Sequence, residues 1–255
     1  MYPIIMSYKS ISIGGYGVML SLAFYLAFVL LERELKLRDK DPDLAYKILL
    51  VVIPSAIIGA KIFYIIEKFS DFLKDPMGII FSGAGLTVYG GFIVAISASI
   101  IVIKVNKENI LEILDIASPS MALGYAIGRL GCHVSGDGCY GLKSTSFLSM
   151  AYPNGYYPTS MEVLPTPLFE SLVSFLIFAA LMHLRKRDIK IGILFFIYFI
   201  FNGIARFGVE FIRLNEKVIG FLTQAQIIAI LFVITGALGI FLIQKYQKDP
   251  GVGAS

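Results

Sequence analysis

The chain has only two cysteines, Cys132 and Cys139, too few to build a disulfide scaffold. It has no polar stretch long enough to fold as a soluble domain, and no internal repeat. No second Cys/His pair stands near the two cysteines, and their spacing matches no common zinc pattern, so no metal site is expected. The first apolar run, about Gly14–Leu31, lacks a small-residue cleavage site and is too long for the core of a removed signal peptide. It is read as a retained helix. The net charge of +4 does not gather into a nucleic-acid-binding patch. The basic residues lie between apolar runs, where they set orientation in a membrane.

What the chain has is apolar length. Of its 255 residues, 57% are hydrophobic and the mean hydropathy is +0.78, against about 45–50% apolar in a soluble domain. Runs over residues 14–31, 47–66, 86–103, 112–130, 166–184, 191–211 and 222–243 are each near the length that crosses a bilayer core. The predicted fold is an all-α membrane protein, a bundle of about seven transmembrane helices forming one domain over residues 1–255. Within it, residues 130–165 make a long loop.

Charge gives the direction. Thirteen of the 22 basic residues, among them Arg33, Lys40, Lys104, Arg185, Arg187 and Lys245, fall on one side of that arrangement. The positive-inside bias predicts an N-terminus outside, a C-terminus in the cytoplasm, and the 130–165 loop on the outer face. The Gly-rich stretch Ser82–Gly91 interrupts the start of the third run. Irregular backbone at that depth needs protein or a water-filled cavity around it. Pro165 and Pro167 predict a rigid start to the fifth run.

Two places break the apolar pattern. Asn202, Arg206 and Glu210 follow a four-residue step, and Arg213 comes three later, so a helix presents them as one polar stripe. A charge at the bilayer centre costs about 2.5–3.5 kcal/mol on insertion scales. Two readings of the stripe stand: an anion pocket, since guanidinium forks match phosphate oxygens, or an ionic pin between helices, with Arg213 reaching for the interface. Glu210 has the choice of pairing with one arginine or bridging both. The second place is Gly128–Gly141, where Arg129 starts a glycine-rich run expected to leave helical geometry. Its His133 and Asp137 are candidates to hold or move protons. Cys132 and Cys139 either pair as a disulfide or serve as small packing residues.

Together these segments resemble the prolipoprotein diacylglyceryl transferase family, in order and along nearly the whole chain. Tyr16–Met19 looks like its early Tyr-Gly motif, and Ile58–Lys61 like its Gly-Ala-Arg segment. Gly85–Gly91 resembles its Met-Ser-Phe-His-Gly-Gly, and Gly128–Gly141 its signature Gly-Arg-x-Gly-Asn-Phe-x-Asn-Gly-Glu. Leu164–Glu170 resembles His-Pro-x-x-Leu-Tyr-Glu, Arg206–Arg213 matches Arg-Phe-x-x-Glu-x-x-Arg, and Thr223–Gln226 looks like Thr-x-x-Gln. The resemblance implies transfer of a diacylglyceryl group from phosphatidylglycerol to the lipobox cysteine of a preprolipoprotein signal peptide. Glycerol 1-phosphate is released. It implies a bacterial inner-membrane enzyme acting on the outer side, with no metal or organic cofactor; a monomer is expected. Carried onto this chain, Arg129 and Arg206 hold the head group and Glu210 orients Arg206. Tyr16, Gly90, Gly91, Cys132, Gly141 and Arg213 line the substrate site. The motif histidine is Tyr89 here, its asparagine Cys132, the histidine of His-Pro Leu164, and its glutamate Asp137. His133 or Asp137 is therefore expected to deprotonate the substrate thiol, with Tyr89 as a hydrogen-bond partner. Two other readings stand beside this: a relative with changed or lost chemistry, and a small-anion transporter.

Overall fold

The structure is a computed structural model, and it describes residues 1–8, 11–81 and 87–246. Residues 82–86, which carry half of the Gly-rich stretch, lie outside the described residues. In chain order the elements are β1 (Ile4–Tyr8), β2 (Ile11–Gly14), α1 (Gly15–Lys36), α2 (Asp43–Glu67), α3 (Phe69–Lys74), α4 (Pro76–Phe81), α5 (Val88–Val105) and α6 (Ile110–Ser135). They continue with β3 (Met150–Tyr152), β4 (Thr159–Val163), α7 (Thr166–Leu184), α8 (Ile193–Val209), a 3-10 turn over Glu210–Ile212, β5 (Lys217–Ile219), β6 (Leu222–Thr223) and α9 (Gln224–Tyr246). Among the described residues, six helices are long and apolar enough to cross a membrane: α1, α2, α6, α7, α8 with its 3-10 turn, and α9. The remaining apolar run forms a shorter apolar helix, Tyr89–Val105. The fold is thus all-α and multi-pass, with three small two-stranded antiparallel sheets among the described residues.

The chain divides into two compact units, residues 31–113 and residues 1–30 with 114–255. In the first, α2 packs along α5. Gly90 and Gly91 of α5 face α2: a Cβ on Gly91 would stand 3.0 Å from the Ala56 carbonyl, and one on Gly90 2.6 Å from the Gly59 carbonyl. These two glycines serve helix contact. Lys40 ties the turn after α1 to the start of α6 through Glu108 (2.9 Å) and Glu112 (2.8 Å).

In the second unit, α7, α8 and α9 pack side by side. Ala122, Ile177, Leu181 and Leu194 form the buried apolar centre between α6, α7 and α8. The α8 N-terminus is fixed by an acid from another helix: Asp115 accepts hydrogen bonds from the Gly192 and Phe195 amides, 2.5 and 2.7 Å. A carboxylate there satisfies orphan donors and complements the helix dipole. Pro165 stands immediately before α7 and Pro167 in its first turn, as their φ-locking rings favour.

The glycine-rich run departs from expectation in one respect. The helix does not end near Arg129; α6 continues through Gly131, Cys132 and His133 to Ser135. Gly131 stays helical because it supplies the small surface against which α1 packs, its missing Cβ lying 3.0 Å from Met19 Cβ and 3.4 Å from the Tyr16 ring.

Candidate active site

The loop that follows α6 is laced into two other segments by backbone hydrogen bonds. Gly141 donates to the Leu164 carbonyl (2.8 Å) and Leu142 to the Ile212 carbonyl (2.9 Å), while Gly141 and Arg213 form an antiparallel bridge. A Cβ on Gly141 would stand 2.5 Å from the Ile212 oxygen and 2.7 Å from Thr166 Cγ2, so only glycine lets the three strands of chain approach this closely. The Thr166 hydroxyl, fully buried, donates to the Cys139 carbonyl at 2.5 Å. Three segments distant in sequence therefore meet at one end of α6, α7 and α8.

Their side chains converge on Glu170, in the first turns of α7. Arg129 Nε lies 3.0 Å from Glu170 Oε2, Arg206 Nη1 2.6 Å from Oε1, and Arg213 Nη1 3.4 Å from each oxygen. Arg206 also pairs with Glu210 through Nη2 at 2.9 Å. Glu210 thus takes one arginine and Glu170 takes Arg213. The α8 helix tightens into a 3-10 turn at Glu210, and Arg213 follows in extended conformation. The Arg129 guanidinium also lies over the Tyr125 ring, 5.0 Å from its centroid. Three guanidinium groups against two carboxylates leave one excess positive charge. The carboxylate side chains are 3% and 0% exposed, whereas those of Arg129 and Arg206 keep 19% and 22%. The acids are sealed inside; the Arg129 and Arg206 side chains keep about a fifth of their surface exposed.

Glu210 is itself held. Its Oε1 accepts from Asn215 Nδ2 (2.5 Å) and from the Thr223 hydroxyl (2.9 Å). Thr223 and Gln226 form a reciprocal cap on α9: the Gln226 amide donates to Thr223 Oγ1 at 3.2 Å and the Thr223 amide to Gln226 Oε1 at 3.1 Å. The Thr-x-x-Gln segment is therefore a helix start that delivers a hydroxyl to the acid behind Arg206.

His133 lies in the last turn of α6, where its Nδ1 is 3.0 Å from the Tyr152 hydroxyl. Tyr152 is fully buried and stacks on Tyr140 at 4.1 Å. Burial pushes both phenols above the ordinary tyrosine range. Asp137 accepts the Cys139 amide at 3.1 Å. Both cysteines are free thiols. The Cys139 thiol is held below its ordinary range by a hydrogen bond with Cys132.

A cavity of about 210 Å³ opens beside the cluster, lined by Gly138, Gly141, Thr159, Met161, Arg213 and Asn215 among others. That is below the roughly 300–1,000 Å³ of drug-sized pockets, and suits a small polar group rather than a whole phospholipid. A second gap, between Tyr125, Glu170, Asn202 and Arg206, measures about 10 Å³, room for at most one water.

The structure therefore brings Arg129, Arg206 and Arg213 onto one carboxylate and places Gly141, Cys132, Asp137 and His133 in the adjoining run. Tyr16 packs on Gly131 and is 43% exposed. Tyr89, Gly90 and Gly91 belong to the other unit, where Tyr89 is 48% exposed. Sequence reasoning matched Glu170 and Thr223 to family segments without giving either a role, and it missed Tyr125 and Asn215. The available signal for Glu170 was a lone acid in an otherwise apolar helix, in a chain with three arginines at similar depth and a single acid assigned to them.

A family model described as prolipoprotein diacylglyceryl transferase matches residues 3–242. A relative from Leptospira interrogans is 32% identical over 286 residues, covering 92% of this chain and 90% of its own length. One from Clostridium botulinum is 34% identical over 254 residues, covering 97% and 99%. Both are named phosphatidylglycerol–prolipoprotein diacylglyceryl transferase.

Proposed function

The chain belongs to the prolipoprotein diacylglyceryl transferase family, and from that membership we propose that it moves the diacylglyceryl group of phosphatidylglycerol onto the lipobox cysteine of a preprolipoprotein. The observation that carries the reading to particular residues is the gathering of Arg129, Arg206 and Arg213 on Glu170 with one positive charge to spare. The family match runs across both compact units, so the whole chain is taken as one catalytic domain. The loop charges orient it in the bacterial inner membrane with residues 130–165 on the outer face.

The chemistry asks for what this cluster offers. The substrate thiol loses its proton, and its sulfur attacks the glyceryl carbon that bears the phosphate oxygen. The S–C bond forms, the C–O bond breaks, and the electron pair leaves on glycerol 1-phosphate. Charge on the phosphate grows through the step, so fixed cationic donors stabilise the transition state more than the ground state. Arg129 and Arg206 hold the phosphate with their open edges. Glu170 and Glu210 fix those guanidinium groups in advance, which removes the cost of ordering them during the reaction. Asp137 accepts the thiol proton. His133, tied to Tyr152, holds the loop that carries Asp137. A positioned base of this kind is worth about 10²–10⁴-fold in rate.

The test is lipidation of a lipobox peptide in vesicles containing phosphatidylglycerol, with release of glycerol phosphate. Arg129→Ala and Arg206→Ala are expected to lose nearly all turnover and Asp137→Asn at least about 100-fold, while His133→Gln loses less. Full turnover in both arginine variants overturns the head-group role; full turnover in Asp137→Asn overturns its role as base.

A further inference from the structure

Beside the ionic cluster lies a second convergence of reactive side chains. Cys132 belongs to the last turns of α6, and Asp137 and Cys139 follow it. Gly136 and Gly138 have φ of +63° and +87°, a left-handed backbone that turns the chain back on itself. As a result the two Sγ atoms and a carboxylate oxygen of Asp137 all lie within 4.8 Å of one another. The turn is clamped. The Gly136 amide donates to the Cys132 carbonyl (3.0 Å), the Cys139 amide to Asp137 Oδ1 (3.1 Å), and the Thr166 hydroxyl to the Cys139 carbonyl. A Cβ on Gly136 would meet Gly155 Cα at 2.5 Å, and one on Gly138 the Tyr157 ring at 3.2 Å, so the loop has little room to take another path.

We propose that Cys132, Asp137 and Cys139 form a binding site for a thiophilic divalent cation of the zinc class, with the fourth coordination position open. Two thiolates and a carboxylate are the donors such an ion selects. Bonds of about 2.3 Å to sulfur and 2.0–2.2 Å to oxygen put tetrahedral ligand atoms roughly 3.4–3.8 Å apart, so from within 4.8 Å the three side chains need to close by at most about 1.0–1.4 Å. Binding releases the two thiol protons to solvent. The loaded site then carries one net negative charge. Two cations stand close in the chain's geometry: Arg129 is one helical turn before Cys132, and Arg213 is bridged to Gly141. Three protein ligands and an open position is also how zinc is held where it exchanges a fourth ligand. The sequence spacing hides this site because six residues separate the cysteines; the two left-handed glycines close the gap. Resting on the transferase reading, one consequence follows: an ion that ligates Asp137 removes the proton acceptor, so loading switches transfer off.

The test uses the full chain in detergent, reduced and stripped with a chelator, and free of lipid and peptide. Titration with Cd²⁺ is expected to give a saturable thiolate-to-metal ultraviolet band at one ion per chain, and Co²⁺ the visible spectrum of a tetrahedral site. Either ion should protect Cys139 from a maleimide until chelator is added. Cys139→Ser should weaken binding by more than the roughly 10–100-fold seen on losing an outer-shell partner, and Asp137→Asn by at least about tenfold. Absence of a saturable band, equal binding by both variants, or a Cys132–Cys139 disulfide forming in place of the metal complex overturns the proposal. Maleimide protection is read on the unmodified chain, so failure of a variant to fold leaves the test intact. Because no substrate is present, a negative result here leaves the transferase reading standing.

Discussion

Replacing Glu170 by glutamine tests the central geometry most directly. The side chain keeps its shape and one carbonyl acceptor but loses its charge, and three guanidinium groups lose their shared counter-ion at once. The local excess rises from one positive charge to two. Breaking a buried ion pair by removing one partner costs about 3–5 kcal/mol. The arginines here retain 12–22% exposure, so water recovers part of that and the lower end applies, about 3 kcal/mol. If the same interactions position the phosphate in the transition state, kcat/KM falls by about 100-fold. The assay is peptide lipidation with phosphatidylglycerol vesicles, run alongside a thermal melt in detergent. A double substitution separates charge from mere damage: Glu170→Gln with Arg213→Gln restores the original balance, and coupling between contacting charges of about 0.5–3 kcal/mol should return at least part of the stability and turnover. Wild-type turnover in Glu170→Gln refutes the argument. So does a double variant that is worse than the sum of its parts.

The same geometry makes three further predictions. Thr223→Val removes both the α9 cap and a hydrogen bond to Glu210; stability should drop by about 1 kcal/mol in chemical unfolding, with a fall in kcat as Arg206 loosens. Asn202→Asp adds a third carboxylate beside Arg206 and Glu170, cancelling the excess charge; KM for phosphatidylglycerol should rise roughly 10–100-fold in vesicle assays while the fold is retained. Lys40 is held above its ordinary value by hydrogen bonds with Glu112 and then Glu108. A cation with a raised folded value contributes stability that is complete below the unfolded value and lost as pH rises through the folded one. The three side chains keep 20–21% of their surface exposed, so water screens the contact and the gain is about 1 kcal/mol. The melting difference between wild type and Lys40→Met should be constant from about pH 6 to 9 and vanish in strong alkali.

Hydrophobic run length made the helices legible in the sequence, since backbone groups in lipid have few alternatives to helix. The start of α7 was legible too, from its prolines. The path after Arg129 was not. Gly131 was expected to break the helix, yet a glycine packed against Met19 and Tyr16 is a helix-contact residue, and nothing local distinguishes the two uses. The Arg206–Glu210–Arg213 stripe was visible as a stripe, but periodicity along one helix is silent about acids on another. Glu170 sits on α7, 36 residues from Arg206 and 41 from Arg129 in sequence, and only tertiary packing joins them. Spacing along the chain also hid how close Cys132 and Cys139 come: it counts residues, whereas two left-handed glycines shorten the distance in space.

The balance of charge in the cluster shows how buried acids fit the head-group role proposed for it. Three arginines without counter-ions would repel one another, and each would carry the full desolvation cost of a charge in a low-dielectric bundle. Three arginines with three acids would be stable but blind to phosphate. Two carboxylates, both almost wholly buried, sit between these limits: they fix the guanidinium groups from the inside and leave their outer edges and one unit of charge unspent. In the proposed reading, a lipid phosphate supplies the missing negative charge. As the C–O bond breaks, the phosphate passes from one negative charge towards two, so its attraction to the fixed guanidinium groups grows along the reaction coordinate, which is the condition for catalysis rather than simple binding.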